Sequence, residues 1–260
     1  MSSCYYMDKK MHSQNKGSDI YLSIIIPAYN EEKRLPKTLL AISSYLKKQN
    51  YNYEILIVIG KSTDNTVGVV KELSNEIPNL HYIELPENPG KGCSVKTGIL
   101  RASGKIRLFM DADNATDISH FEYMRRYFDE GYEVVICSRD KRDSNDAIRK
   151  VPQPFYKRFL GEIGNLLIQL LAVRGIWDTQ CGFKAFRAGA SQKIFSQVQI
   201  NGFGFDIEVL AIARLLQYRI GIVPATWIND PRTKVNLFSY VKVIYELIIV
   251  ALNVRKRIYH

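Results

Sequence analysis

Asp111 and Asp113 stand two residues apart, directly behind the apolar run Ile106-Arg107-Leu108-Phe109-Met110. At positions i and i+2 where a buried strand ends, two carboxylates point the same way across the pleat. Such a pair can hold a hard divalent ion, Mg²⁺ or Mn²⁺, against a diphosphate. These ions prefer oxygen ligands and commonly share their coordination sphere with substrate phosphates. A solvated strand end or a helix cap can carry the same spacing, so the pair takes its meaning from its surroundings.

Other reactive residue types are less informative. Cys4, Cys93, Cys137 and Cys181 are scattered and form no C-x-x-C pair, which reads as a reduced, intracellular chain without a cysteine zinc site. Cys181 reads as a small packing residue rather than a nucleophile. His12, His81, His120 and His260 have no ligand-like spacing and receive no role. Trp177 and Trp227 read as packing or membrane-interface residues.

The elements that must position the carboxylates alternate along the first half. Leu22 to Ile26 is a short apolar β run closed by Pro27, followed by a charged helical stretch near 33–48. Glu54 to Ile59 is a second β run, and Ser62-Thr63-Asp64 suits the cap of a helix reaching Asn75. His81 to Leu85 is a third strand, and Asn88-Pro89-Gly90-Lys91-Gly92 leads into a helix through Arg101. Ile106 to Met110 and Glu133 to Cys137 flank a helix around Phe121 to Phe128. Strands and helices alternating at this spacing predict an α/β fold with a mostly parallel sheet. In open sheets of that kind, ligands bind at the carboxyl ends of the strands. Pro27 to Glu31, the Gly60 turn and Asp111/Asp113 all lie at such ends.

The second half changes character. Asp140 to Lys150 is a charged loop, and Pro154 to Val173 is helical with Ile163, Leu166, Leu167, Leu170 and Leu171 on one face. Phe205 to Leu216 is another helix, and Ile220 to Ile228 contains a last strand. Leu237 to Val254 is strongly apolar with a narrow polar strip of Ser239, Lys242, Glu246 and Asn253, and it runs into Arg255-Lys256-Arg257. No window offers the about 20 nearly uncharged residues of a spanning helix; Lys242 and Glu246 interrupt the nearest one. Lying in a membrane interface suits this segment better.

The chain has 260 residues, 46% of them hydrophobic, and a net charge of +10. It can build a real core. Its charge calls for an anionic partner: nucleic acid, anionic lipid or a phosphorylated substrate. No zinc-finger spacing or aromatic RNA-binding signature supports nucleic acid.

Taken together, Ser23-Ile24-Ile25-Ile26-Pro27-Ala28-Tyr29-Asn30-Glu31-Glu32, Ser62-Thr63-Asp64-Asn65-Thr66, Gly90-Lys91-Gly92 and Asp111-Ala112-Asp113 resemble the family 2 glycosyltransferases of GT-A fold. Asp111 to Thr116, Asp178-Thr179-Gln180-Cys181-Gly182-Phe183-Lys184 and Phe205 to Leu210 resemble the dolichyl-phosphate β-glucosyltransferase branch of that family. The resemblance spans about 20–253. It implies transfer of a sugar from a nucleotide-sugar to a polyprenyl phosphate such as dolichyl phosphate, with inversion at the anomeric carbon and a Mg²⁺ or Mn²⁺ cofactor. It implies that Pro27, Ala28, Tyr29, Glu31, Ser62, Asp64, Lys91 and Ala112 serve the nucleotide-sugar. Asp111 and Asp113 would address the ribose and the metal-bound diphosphate. Arg139, Gln180 and Lys184 would join them in catalysis, with Arg142, Arg149, Asp206 and Glu208 on the acceptor side.

The chemistry is coherent on its own terms. A phosphomonoester acceptor is largely dianionic at neutral pH, its second pKa being near ~6, so it needs little help from a general base. The site must instead be cationic, to bring two phosphate groups together, and Arg139, Arg142, Arg149 and Lys184 are available. One departure is clear: family members commonly end the second strand with an acidic pair that reads the base, and here Ile59-Gly60 stands in its place. Glucose from UDP-glucose is the first reading, and mannose from GDP-mannose stays open beside it. A soluble or glycan acceptor, and a non-catalytic basic membrane-binding module on a transferase scaffold, are the further alternatives. The expected organisation is a polar tail at 1–18, a GT-A domain at 19–236 and an amphipathic interfacial helix with a basic end at 237–260. Such a protein would be cytoplasmic, peripheral on the cytosolic face of a membrane.

Overall fold

The computed structural model describes residues 19–149, 155–227 and 237–260. The expected tail, Lys150 and the stretch 228–236 lie outside the described residues. In chain order the elements are β1 (Leu22–Ala28), α1 (Leu35–Leu46), β2 (Tyr53–Ile59), α2 (Thr66–Glu76), β3 (Leu80–Glu84), α3 (Lys91–Arg101), β4 (Ile106–Met110), α4 (His120–Asp129) and β5 (Val134–Ser138). There follow β6 (Ile148–Arg149), α5 (Phe155–Leu171), β7 (Phe183–Arg187), α6 (Ala188–Gln197), α7 (Phe205–Leu215), β8 (Ile220–Pro224), β9 (Thr226–Trp227) and α8 (Leu237–Arg255).

Seven strands form one sheet in the order β3-β2-β1-β4-β7-β5-β8, and β6 pairs with β9 beside it. All pairs in the large sheet are parallel except those of β7, which runs antiparallel to both β4 and β5. Helices cover both faces, which is why the strands read as nearly continuous apolar runs. On one face Leu39 and Ile42 of α1, Val70 of α2 and Phe121, Met124 and Phe128 of α4 pack on Ile24, Ile26, Ile57 and Leu108. On the other, Val95 and Ile99 of α3, Phe195 of α6, Val209 and Ile212 of α7, and Leu247 and Val250 of α8 pack with Ile25, Val58, Phe109 and Ile136. Each fully buried side chain of this size contributes about 1.5–3 kcal/mol, so the strand ends sit on a firm floor.

The sequence reading finds β1 to β5 and misses β7, α6 and the β6–β9 pair. The strand expected at Ile220 to Ile228 divides into β8 and β9 at Ala225. Cys93 is disulfide-bonded, a departure from four reduced thiols, whereas Cys137 and Cys181 are free and buried.

The segment from Leu237 is a helix, with its polarity arranged differently from the expected strip. Glu246 and Asn253 are buried. Glu246 accepts the Gly204 N–H at 2.7 Å, and Asn253 donates to the Tyr259 hydroxyl at 3.1 Å. The outward face carries Val241, Ile244, Tyr245, Ile248 and Leu252 instead. Among the described residues no helix is long and apolar enough to cross a membrane.

Candidate active site

The antiparallel course of β7 creates the site. Met110 pairs with Phe183, so the turn entering β7 lies against the residues leaving β4, and the Asp111 N–H donates to the Gly182 carbonyl at 3.0 Å. A Cβ on residue 182 would stand 2.0 Å from Asp111 Oδ2; only glycine lets the carboxylate lie there. Thr38 of α1 donates to the Ala112 carbonyl at 2.7 Å, and the Ala115 N–H donates to Asp113 Oδ1 at 3.0 Å. Asn114, at φ 52°, turns the chain between them. These contacts hold both carboxylates on one cavity, which Arg139, Cys181 and Trp227 also line.

Two cations flank the pair. Lys91, first residue of α3, places Nζ 2.6 Å from Asp111 Oδ1. Burial alone would lower its pKa, but the Asp111 and Asp206 carboxylates outweigh that and raise it, so it is charged at neutral pH. On the far side Arg139 follows β5 and is gripped by Asp178, with Nε and Nη2 each 2.7 Å from a carboxylate oxygen and the Arg139 N–H at 2.8 Å. Burial favours the protonated Asp178 carboxyl, yet the guanidinium prevails and holds it down at about 2. Asp178 is itself fixed by Asp143, whose carboxylate accepts the Trp177 and Asp178 N–H groups, both at 2.8 Å, and the Ser138 hydroxyl at 2.7 Å. The Arg139 guanidinium lies 5.3 Å from the Trp227 ring centre. Trp227 follows Thr226, whose N–H donates to His120 Nε2 at 3.0 Å.

Several of the expected catalytic and acceptor-side residues have partners within the fold. Lys184 is wholly buried and bonded to Asp206 and the Cys181 carbonyl, so its Nζ is engaged within the fold instead of meeting an incoming phosphate. Asp206 is its partner, and burial raises the Asp206 pKa. Glu208 accepts the Gln199 and Ile200 N–H groups at 2.9 and 2.8 Å and the Tyr259 hydroxyl at 2.7 Å; it clamps the C-terminal segment. Arg142 pairs with Asp140 and stacks 3.9 Å from the Trp177 ring centre. Gln180 is half-buried beside the Cys181 turn. Arg149 ends β6, and its side chain lies outside the described residues.

On the β1 and β2 side, Pro27 and Ala28 close β1 and Tyr29 is exposed. Glu31 is buried and pairs with Arg34 at 2.5 Å. Ser62 accepts the Asn30 N–H at 3.1 Å, and Asp64 accepts the Thr66 N–H at 3.0 Å and the Glu32 N–H at 3.2 Å. Ser62 and Asp64 thus knit the two loops together, and the N-cap of α2 is Asn65, one residue beyond the expected capping segment. Sequence reasoning does not single out Asp143, reads Trp227 as a packing or membrane-interface residue and gives His120 no role. Asp178 opens the Asp178-to-Lys184 motif, but its partner Arg139 is 39 positions away.

The donor set suits a hard divalent cation. Burial first, and Asp111 second, raise the Asp113 pKa. A cation shared by the two carboxylates would relieve both effects. No cluster of three or more metal-type side chains exists among the described residues, so remaining ligands would come from substrate and water, the habit of Mg²⁺.

Known proteins resemble this chain in sequence and in fold. The family model described as Glycosyl transferase family 2 matches residues 23–195. The dolichyl-phosphate beta-glucosyltransferase ALG5D of Trichomonas vaginalis is 34% identical over 249 residues, covering 92% of this chain and 76% of that protein. The dolichyl-phosphate beta-glucosyltransferase of Dictyostelium discoideum is 34% identical over 240 residues, covering 88% and 73%. In fold the chain is similar to glucosyl-3-phosphoglycerate synthase from Mycobacterium tuberculosis, solved in complex with Mg²⁺ and UDP. That match has a TM-score of 0.61 and 17% identity, covering 89% of this chain and 79% of the other.

Proposed function

The chain belongs to glycosyl transferase family 2, and from that premise we propose that it moves glucose from UDP-glucose onto the phosphate of dolichol or another polyprenol, with inversion, at a membrane surface. The observation that carries this reading is the convergence of Asp111 and Asp113 with Lys91 on one side and the Asp178-held Arg139 on the other. Asp111 and Asp113 would hold Mg²⁺ or Mn²⁺, which supplies Lewis-acid stabilisation of the departing diphosphate. Lys91 and Arg139 add fixed positive charge where negative charge develops. An acceptor phosphate oxygen attacks the anomeric carbon as the C–O bond to the diphosphate breaks. The dianionic acceptor has no proton to surrender. Burial pushes the Cys181 thiol up to about 11, so it is a poor nucleophile, in keeping with a single displacement.

The outward apolar face of α8, with Arg255, Lys256 and Arg257 exposed at its end, supports peripheral attachment. Exposed Ile163, Leu166 and Leu170 of α5 extend the apolar surface, and α5 and α8 are in contact. A lipid-linked acceptor and a cytosolic nucleotide-sugar would meet on the cytosolic leaflet, which is where we assign the protein. The test is a transfer assay with purified protein, dolichyl phosphate and Mn²⁺, offering labelled UDP-glucose and GDP-mannose in parallel. Lipid-extractable label from UDP-glucose is expected. Label from GDP-mannose alone overturns the donor, and no label from either overturns the reaction.

A further inference from the structure

We propose that Glu246, on α8, is a positioning residue for the transfer reaction: it fixes segment 200–204 against the first turn of α3, so that Lys91 is presented to Asp111. What Lys91 does there rests on the nucleotide-sugar reading above.

The need for such a fixture lies in α3 itself. The first N–H groups of a helix have no partner within it, and a side-chain oxygen at the N-cap commonly meets one of them. Here the N-cap is Gly90, which has no side chain to offer, and its φ of 111° is one that glycine adopts readily. The Asn201 carbonyl takes that part, accepting the Gly92 N–H at 2.8 Å and the Cys93 N–H at 3.4 Å. The fit is close: a Cβ on residue 90 would collide with the Asn201 carbonyl, and one on residue 92 would stand 2.7 Å from the Phe205 Cβ. Beyond Gly204 the chain runs on into the surroundings of Lys91. Lys91 Nζ lies 5.9 Å from the ring centres of both Phe109 and Phe205, and the Asp206 carboxylate favours its ammonium form.

Segment 200–204 is a loop between α6 and α7, and a carboxylate holds each end of it. At its start Glu208 accepts the Ile200 N–H at 2.8 Å, and at its end Glu246 accepts the Gly204 N–H at 2.7 Å. Glu246 also backs the loop. A Cβ on residue 202 would stand 2.8 Å from Glu246 Cδ, and one on residue 204 would stand 2.7 Å from Glu246 Cβ. Gly202, which follows Asn201 directly, therefore rests on the Glu246 carboxylate. That carboxylate is buried, and a buried charge is costly unless hydrogen bonds meet it. Among the described residues neither Glu246 nor segment 200–204 lines the cavity, so their route to the reaction is Lys91.

The experiment is a double-mutant cycle on kcat/KM for UDP-glucose, with Glu246→Leu, Lys91→Met and the two combined, and melting curves as the control for folding. Glu246→Leu removes the acceptor and should cost about tenfold or more in the wild-type background. In the Lys91→Met background it should cost no more than about twofold. Glu246→Gln keeps an acceptor oxygen for the Gly204 N–H and should restore most of the loss. Glu246→Asp, which keeps the carboxylate and shortens its reach by one methylene, is the milder second variant and should show the same dependence on Lys91. Equal losses in both backgrounds would make Glu246 a support of the fold alone and overturn the proposal, as would a loss in Glu246→Gln as large as in Glu246→Leu. Acetylation of Lys91, followed by mass spectrometry against the exposed Lys105, reads its placement without any turnover. It should rise about threefold in Glu246→Leu as the pair with Asp111 loosens; an unchanged ratio overturns the positioning role. A wild type that transfers nothing from UDP-glucose overturns the donor reading instead, and the acetylation ratio then decides the placement of Lys91 by itself.

Discussion

Lys91 Nζ and Asp111 Oδ1 stand 2.6 Å apart at the mouth of the candidate active site, joining the first turn of α3 to the end of β4. The ammonium thus occupies the carboxylate that a cation must share, and a diphosphate arriving with its metal gives both partners a better match. We expect Lys91→Met to keep or tighten Mn²⁺ binding, measured by titration, while kcat/KM for UDP-glucose falls about 10²-fold. Weakened Mn²⁺ binding with undiminished turnover would contradict this arrangement.

Gly182 offers a cleaner probe, because it contributes no functional group. Its Cα lies against Asp111, and a methyl there would meet Oδ2 at 2.0 Å, inside any tolerable contact. Gly182→Ala must therefore turn the Asp111 carboxylate away from Lys91 and the cavity. Transfer should drop by about 10²-fold or more, with the circular dichroism spectrum unchanged. Activity near wild type would show that the position of Asp111 is not critical.

These contacts also mark what the sequence makes legible. Strands β1, β2 and β4 are apolar on both faces, so their pattern survives without tertiary knowledge, and the carboxylate pair at the end of β4 is visible with them. Strand β7 is hidden because Lys184 and Arg187 interrupt its apolar run, and the charge of Lys184 makes sense only once Asp206 is seen beside it. Glu246 and Asn253 look like a solvated strip by periodicity alone. Their inward turn depends on a backbone N–H at Gly204 and a hydroxyl at Tyr259, partners that no local pattern announces.

The Asp178–Arg139 pair predicts a specific acid sensitivity. The Asp178 carboxyl is held at about 2 in the fold, below the ordinary value of about 3.9. A depressed carboxyl stabilises the fold fully above its unfolded pKa and loses that contribution as pH falls towards the folded value. Roughly 2–3 kcal/mol should thus disappear between about pH 4 and pH 2. Asp178→Asn should lose this step and be less stable at pH 7, where Arg139 lacks its counter-charge. Urea midpoints across that range are the measurement, and identical pH profiles for the two proteins would refute the pairing.

Glu208 separates a structural carboxylate from an acceptor-binding one. Glu208→Gln leaves an amide facing the Ile200 or Gln199 N–H, so the fold should lose roughly 1–3 kcal/mol. The KM for dolichyl phosphate should stay at its wild-type value. A raised KM with unchanged stability would return Glu208 to the acceptor side.

The outward face of α8 bears on membrane attachment. Ile248 and Leu252 are exposed on a helix whose polar Glu246 and Asn253 point inward, so replacing them touches neither the core nor those hydrogen bonds. Burying each in lipid is worth at most about 1.5–3 kcal/mol, and each of Arg255, Lys256 and Arg257 adds about 1 kcal/mol near an anionic surface. Ile248→Asp with Leu252→Asp should abolish sedimentation with phosphatidylserine-containing vesicles at any salt concentration. Neutralising the three basic residues should weaken binding to anionic vesicles only, and most at low ionic strength, since salt screens that attraction. Vesicle binding by the double variant equal to wild type would exclude this face of α8 as the contact with lipid.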